Sequence, residues 1–337
     1  MLDPSSISIG VVIPMYNAEA TIERCLTPLR AMLKSGEVQS LCVVSDCSTD
    51  GSEELVKGYE EITLLRTEQQ GGPGGARNLA AQTQTVDYLW FVDADVIVAD
   101  DAARILRQTL LTHQPTAVMG SYDLAPDAQN FLSQYKNLVH HYYHQGGNDN
   151  ASTFWAGCGA VLRTAFLDVG GFDVTAYPYP SIEDIDLGYR LRAKEGRIMM
   201  IKDLQGKHLK EWRFKGLVHT EIFRRAIPWS RLMLSREGLT DDLNVGRGER
   251  VRAALAGLTV LSVLAFLVTA SAFAMLVMLG VTVLANLNFI RFFTRRKGPT
   301  FALRAFFFHQ FYYLYSAAAF VYALTEHHFG FGQGRRD

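Results

Sequence analysis

The sequence predicts an α/β protein: a Rossmann-like domain on a mostly parallel sheet, followed by C-terminal transmembrane helices. Three observations carry this. Strand-like and helix-like periods alternate from residue 7 to residue 113, the pattern of a sheet with helices on both faces. The polar oddities of that stretch, Asn17, Asp46, Asp93 and Asp95, fall where strands end, and open α/β sheets bind ligands outside the carboxyl ends of their strands. From Val251 onward the chain becomes markedly apolar.

In order, "ISIGVVIPMY" reads as a strand and "AEATIERCLTPLRAMLKS" as an amphipathic helix. "SLCVVSD" is a second strand, "DGSEELVKGYEE" a helix, "ITLLRTE" a third strand and "GGARNLAAQTQT" a helix. "DYLWFVDAD" is an aromatic, β-branched strand, and "DDAARILRQTLLTH" the helix after it. From about residue 115 the alternation weakens. A helix is expected at "AQNFLSQYKNLVHHYYHQ", a strand and helix start in "STFWAGCGAVLRTAFLDVGGF", and an acid-opened helix at "SIEDIDLGYRLRAKEGR".

Charge excludes one class of partner. The 337 residues carry 33 Lys and Arg against 34 Asp and Glu, so there is no basic excess for nucleic acid. Four cysteines, Cys25, Cys42, Cys47 and Cys158, form no CxxC pair and read as reduced thiols. "MLDPSSISIG" shows no secretory signal pattern. Residues 251–290 carry a single charge, Arg252, and have room for two spans of about 20 residues turning near Thr269–Ser271. Arg291, Arg295, Arg296, Lys297 and Arg304 follow and are expected on the cytoplasmic side. The aromatic stretch 301–329 is a third candidate span, with an interfacial or re-entrant path as its alternative.

Asp93 and Asp95 lie at i and i+2, so on a strand both carboxylates face one side. Like charges so placed need a cation or donors between them, and two hard oxygen ligands suit Mg²⁺ or Mn²⁺ held jointly with a phosphate. A helix-capping DxD is the competing reading, although Asp100 and Asp101 are better placed for that. "QQGGPGGARNLA" fits neither phosphate-loop fingerprint, but delivers Arg77 and Asn78 at a helix N-terminus. Glu183, Asp184 and Asp186 open a helix, where the macrodipole favours acids and where one could also act as a general base. His208 is a lone histidine, and His140, His141 and His144 read as surface or interfacial residues.

Taken in order, "VVIPMYNAEATIERCL", "VVSDCSTDGS", "GGPGGARNLA", "FVDAD", "WAGCGAVLR" and "SIEDIDLGYRLR" resemble family 2 glycosyltransferases of the GT-A fold, membrane-anchored and of bacterial type, over about residues 7–235. The resemblance implies an inverting transferase that uses a nucleotide-diphosphate sugar and a divalent cation, Mn²⁺ or Mg²⁺. It implies that Pro14, Tyr16, Asn17 and Glu19 line the nucleotide pocket, that Asp46 contacts the base, and that Arg77 reaches the nucleotide or its phosphates. Asp93 and Asp95 match the metal-diphosphate acids, Asp93 also touching the donor, and His208 a further ligand. Asp184 matches the catalytic base, with Glu183 beside it. Two departures stand out. The family's acid-acid-glycine-serine run reads Ser45-Asp46-Cys47-Ser48, and the processive Gln-x-x-Arg-Trp signature is missing after Asp184, "EWRF" offering Trp212 and Arg213 in reverse order.

The expected organisation is a catalytic domain at 1–215, an amphipathic interfacial segment at 216–246, a transmembrane region of three helices at 247–328 and a tail at 329–337. In the interfacial segment Ile222, Phe223, Ile227, Trp229 and Leu232 mix with Arg224, Arg225, Arg231 and Arg236. The expected function is transfer of one sugar to a membrane lipid acceptor, a polyprenyl phosphate or a hydroxyl-bearing lipid. The expected place is the cytoplasmic face of the inner (plasma) membrane, in a multi-pass protein. A nucleotidyltransferase-like enzyme and a non-catalytic nucleotide-sugar-binding scaffold are the alternatives.

Overall fold

The computed structural model describes residues 7–235 and 243–330; the far tail and residues 236–242 of the interfacial segment lie outside them. The chain divides into two compact units between Arg213 and Phe214.

The first unit holds strands β1 (Ile9–Met15), β2 (Ser40–Ser45), β3 (Thr63–Arg66), β4 (Tyr88–Val92), β5 (Val96–Val98), β6 (Ala117–Tyr122), β7 (Cys158–Leu162) and β8 (Ile198–His208). Its helices are α1 (Ile22–Lys34), α2 (Ser52–Lys57), α3 (Gly72–Thr83), α4 (Ala102–His113), α5 (Phe131–Gly146), α6 (Arg163–Asp168) and α7 (Glu183–Ala193). The strands form one sheet in the order β3-β2-β1-β4-β7-β6-β8-β5.

The parallel half is the half with clean alternation: β1 pairs with β2 and β4, and β2 with β3, all parallel. Beyond β4 the sheet is mixed. β7 runs antiparallel to both β4 and β6, β8 is parallel to β6, and β5 is antiparallel to β8. Parallel pairing therefore holds only narrowly. β1 and β4 are buried at every residue, as sandwiched strands must be, which is why they read as unbroken apolar runs.

Strands β6 and β8 lie in the stretch where the alternation faded. In β8 the polar Lys202, Asp203, Gln205 and Lys207 interrupt the run, yet Leu204, Gly206 and His208 are buried at period two.

The second unit is helical. It contains α8 (Phe214–His219), a π-helical turn at Thr220–Ala226, α9 (Ile227–Ser235), α10 (Arg247–Thr269), α11 (Ala272–Ala285), α12 (Leu287–Lys297) and α13 (Pro299–Phe329). The α10–α11 break falls at Ala270, in the left-handed conformation, and at Ser271. Among the described residues only α10 is long and apolar enough alone to cross a membrane. Helices α11 and α12 together qualify as one span bent by 64°. The amphipathic segment packs within its own unit: Trp229, Leu232 and Met233 are buried, and Arg231 clamps Glu326 of α13 at 2.6 and 2.9 Å.

Candidate active site

The site lies at the carboxyl ends of β1, β2 and β4. Asp93 and Asp95 are in the turn between β4 and β5, not on a strand as expected. The turn is closed by the Val96 N–H donating to the Asp93 carbonyl at 3.0 Å. The acids are consequently not bound to one strand face, and each has its own partner. Arg77 donates to Asp93 Oδ1 at 2.6 Å, and His208 Nε2 lies 3.6 Å from Asp95 Oδ2.

The two carboxyls are held in opposite senses. Burial pushes Asp93 above the usual carboxylate range, with Asp95 adding to the effect and Arg77 opposing it. Burial also opposes ionisation of Asp95, but His208 beside it, with Lys210, outweighs burial and holds it below that range.

Arg77 is 4% exposed and reaches past Asp93 to Glu183, 3.6 Å away. Its guanidinium also lies over Phe172, 5.3 Å from the ring centroid. Glu183 in turn accepts the Ser181 N–H at 2.8 Å and is buried. Asp186 is buried against Arg190 at 2.7 Å. Asp184 differs from both neighbours: it is half-buried, with Oδ2 accepting the Ala156 N–H at 3.2 Å and Oδ1 the Ile185 N–H at 2.9 Å. Of the three acids at the start of α7, Asp184 is the least buried.

The loops after β1, β2 and β3 are knitted to each other. Asp46 is buried, accepting Thr67 Oγ1 at 3.0 Å and the N–H groups of Gly71 and Gly72 at 2.9 and 2.8 Å. A carboxylate has about four acceptor positions, so little capacity remains for a base. Gly72 has φ +71°, which a side chain would strain. Pro14 is buried in β1 and Tyr16 is half exposed. Asn17, at φ +48°, accepts the Thr49 N–H at 2.8 Å, and Glu19 accepts the Gly51 N–H at 3.1 Å. Ser45, where the family pattern has an acid, donates to Glu53 at 2.5 Å.

Three consecutive residues tie these parts together. The Trp155 ring packs edge-on against Tyr122 at 4.9 Å, and Tyr122 stacks on His208 at 4.2 Å. Ala156 donates to Asp184, and the Gly157 carbonyl accepts the Asp93 N–H at 3.2 Å. A Cβ at Gly157 would come within 2.5 Å of the Trp155 ring, so only glycine lets that ring fold over.

His140 and His144 complete the stack, 3.8 Å apart, with His140 also 4.5 Å from Trp155. The surface reading of the histidine trio is thus overturned: His141 and His144 are buried, and their Nδ1 atoms face the Tyr122 and Gly120 carbonyls at 2.7 and 2.9 Å. Tyr122 falls in none of the sequence motifs, and Trp155 only opens "WAGCGAVLR", with no role assigned to it. The only local signal was "WAGCG", with glycines on either side of a buried strand start.

Among the described residues no group of three or more His, Cys, Asp or Glu side chains is placed to hold a metal ion. Asp93 and Asp95 are part-exposed carboxylates, paired with Arg77 and His208 respectively. Two hard oxygen donors of that kind suit a Mg²⁺- or Mn²⁺-like ion that completes its shell with water and phosphate oxygens. Of the cysteines, Cys25 donates its Sγ–H to the Asp93 carbonyl at 3.4 Å. All four are free, and burial pushes Cys158 up to about 12.

Residues 10–170, just under half of the chain, match the family described as Glycosyl transferase family 2. The chain is 36% identical over 99 residues to a poly(ribitol-phosphate) beta-glucosyltransferase of Bacillus spizizenii, covering 28% of this chain and 16% of that protein. It is 27% identical over 228 residues to a pre-mycofactocin glycosyltransferase of Mycobacterium tuberculosis, covering 62% and 45%. The chain therefore spans less than half the length of these curated relatives. In fold it resembles a mannosyltransferase from Pyrobaculum calidifontis, solved with GDP-Man and Mn²⁺, at TM-score 0.58 and 18% identity over 95% of this chain and 88% of that one. It also resembles the S. aureus TarS 1-349 structure at TM-score 0.51 and 17% identity over 68% and 66%. The mixed sheet thus resembles that of GT-A glycosyltransferases.

Proposed function

We propose that this chain is an inverting glycosyltransferase that moves one sugar from a nucleotide-diphosphate sugar to a membrane lipid at the cytoplasmic face. The observation that carries the reading is the Trp155–Gly157 strap. It holds the Asp184 carboxylate by one residue and the Asp93 backbone by the next, so the two acids are positioned from one short segment. The nucleotide sugars and the ion bound in related proteins point the same way.

Asp184 takes the proton of the acceptor hydroxyl as that oxygen attacks the anomeric carbon. The Ala156 and Ile185 N–H groups fix the orientation of its carboxylate. Attack from the face opposite the departing diphosphate inverts the centre in one displacement. A divalent cation bound at Asp93 and Asp95, with His208, would supply charge neutralisation for that diphosphate. Arg77, locked by Glu183 and stacked on Phe172, holds Asp93 in place. Glu183 on this reading is a positioning residue and Asp184 the base. Pro14, Tyr16, Asn17 and Glu19 shape the loop on which the nucleotide rests, and Asp46 pins the opposite wall. A lipid phosphate as acceptor arrives ionised and has less need of Asp184.

The membrane part of the proposal rests on an inverted burial pattern in α10 and α11. Leu267, Val268 and Phe273 are 72%, 87% and 77% exposed, whereas Ser262, Thr282 and Asn286 are buried. Apolar outside and polar inside is the arrangement for lipid, and Thr259 meets Thr282 at 2.7 Å in the seam.

The test is to incubate the purified protein with membrane lipid extract and a panel of labelled nucleotide sugars. The expected result is one labelled lipid with stoichiometric nucleoside diphosphate. Pyrophosphate release would make the chain a nucleotidyltransferase, and donor binding without any turnover would make it a scaffold.

A further inference from the structure

The second unit carries an inference about which of its helices enter the bilayer; it rests on the membrane reading above. Arg252 Nε donates to the Ala285 carbonyl at 2.9 Å, placing the first turns of α10 beside the last turn of α11. That is the open end, or foot, of an apolar hairpin whose closed tip is Ala270–Ser271.

Helix α13 has 31 residues, about 46 Å, long enough to cross a core of about 30 Å. Its contacts place it elsewhere. Near its start, Phe301 stacks on Phe293 of α12 at 5.8 Å, and His309 on Phe289 at 4.3 Å. In its middle, Tyr313 donates to Glu249 in the first turn of α10 at 2.6 Å, and Tyr312 accepts from Asn244 at 2.8 Å. At its far end Glu326 holds Arg231 of α9. Over its first half α13 thus touches elements at the foot of the hairpin, and its mid-point partner is the charged start of α10, while its second half packs on α9. A helix running beside α10 and α11 through the bilayer would meet their apolar middles instead.

We infer that α13 lies along the membrane surface across the foot of the α10–α11 hairpin, so that Gly330 stays on the same side of the bilayer as the glycosyltransferase domain. The partner for this platform is a bilayer surface with anionic phosphate headgroups. Leu303, Phe307 and Phe311 recur every four residues on α13 and are exposed, an apolar stripe for the acyl boundary. Arg291, Arg295, Arg296 and Lys297 of α12 are exposed beside it, cations for the headgroups.

The experiment places single cysteines at Gly330 and, as a reporter for the domain's side, at Glu60, each in a Cys47→Ser background. Membrane vesicles of both orientations are treated with an impermeant maleimide. Gly330→Cys should label at least about tenfold more from the face that labels Glu60→Cys. Labelling from the opposite face overturns the inference and leaves the membrane reading intact. An epitope tag after Asp337 gives an independent readout: digestion by protease added on the Glu60 side supports the surface placement, and protection contradicts it. Complete release of the protein by alkaline carbonate would instead remove the membrane reading on which all of this rests.

Discussion

The two units solve opposite solvation problems. In the first, Trp90, Phe91 and the β1 residues Ile9–Met15 are fully buried while the charged groups gather at the strand ends. In the second, the largest apolar side chains of α10 and α11 point outward, and the buried residues are Ala256, Ser262 and Thr282, with Asn286 capping α11. Burying apolar surface stabilises a fold only against water. A helix pair that exposes its leucines and hides its threonines gains nothing from that effect and must draw on packing and hydrogen bonds. On the membrane reading proposed above, the contrast reflects the solvent each unit is built for, and it separates what substitutions should do in each.

The largest effect is expected at the base. Asp184→Asn should lower turnover by about 10²–10⁴-fold with nucleoside-diphosphate binding retained, as measured by steady-state kinetics alongside calorimetry. Glu183→Gln should instead weaken donor affinity through Arg77 and spare kcat; the reverse split would exchange the two roles. Next, Asp95→Ala should remove about 2–4 kcal/mol of transition-state stabilisation. Chelator should mimic it and Mn²⁺ reverse it, and full activity in excess chelator breaks the metal reading.

Stability effects come third. Phe91→Ala, in the aromatic cluster with Phe154, Phe166 and Phe172, should cost the first unit about 3–5 kcal/mol in denaturant melts. The smallest effects belong to the second unit in detergent. There Thr282→Val should cost about 0.6–1.7 kcal/mol, and Leu267→Ala within about 0.5 kcal/mol. A Leu267→Ala loss as large as that of Phe91→Ala would show that α10 is a water-soluble core helix, and the contrast would fall.

The legible parts of the sequence were those with local causes. β1, β2 and β4 are buried on both faces and announce themselves as apolar runs, and the helix break at Thr269–Ser271 has local chemistry. The residues at the strand ends were legible as types, and the structure does bring Arg77, Asp93, Asp95, Asp184 and His208 to one sheet edge. What local pattern could not convey was pairing across the chain. Glu183 looks like an ordinary N-terminal helix acid until Arg77, more than a hundred residues earlier, turns it inward. His140 and His144 sit at helical spacing and read as surface until Trp155 and Tyr122 cover them. Asp93 and Asp95 read as strand neighbours because the run before them is so clearly a strand; the turn is imposed by Val96 having to start β5 against β8.

That last pairing has a consequence for the order in which the molecule is assembled. β5 is an edge strand of three residues whose neighbour, β8, leaves the ribosome about a hundred residues later, so Asp95 waits for His208 through the synthesis of most of the domain. At about 5–20 residues per second that delay is roughly 5–20 s, long beside the milliseconds to seconds in which such domains fold. The parallel half from β3 to β4 can be standing before the second half exists. The Asp95–His208 pair is then the final stitch, and a nascent or truncated chain that ends before β8 can hold a nearly finished sheet and still lack the partner of Asp95.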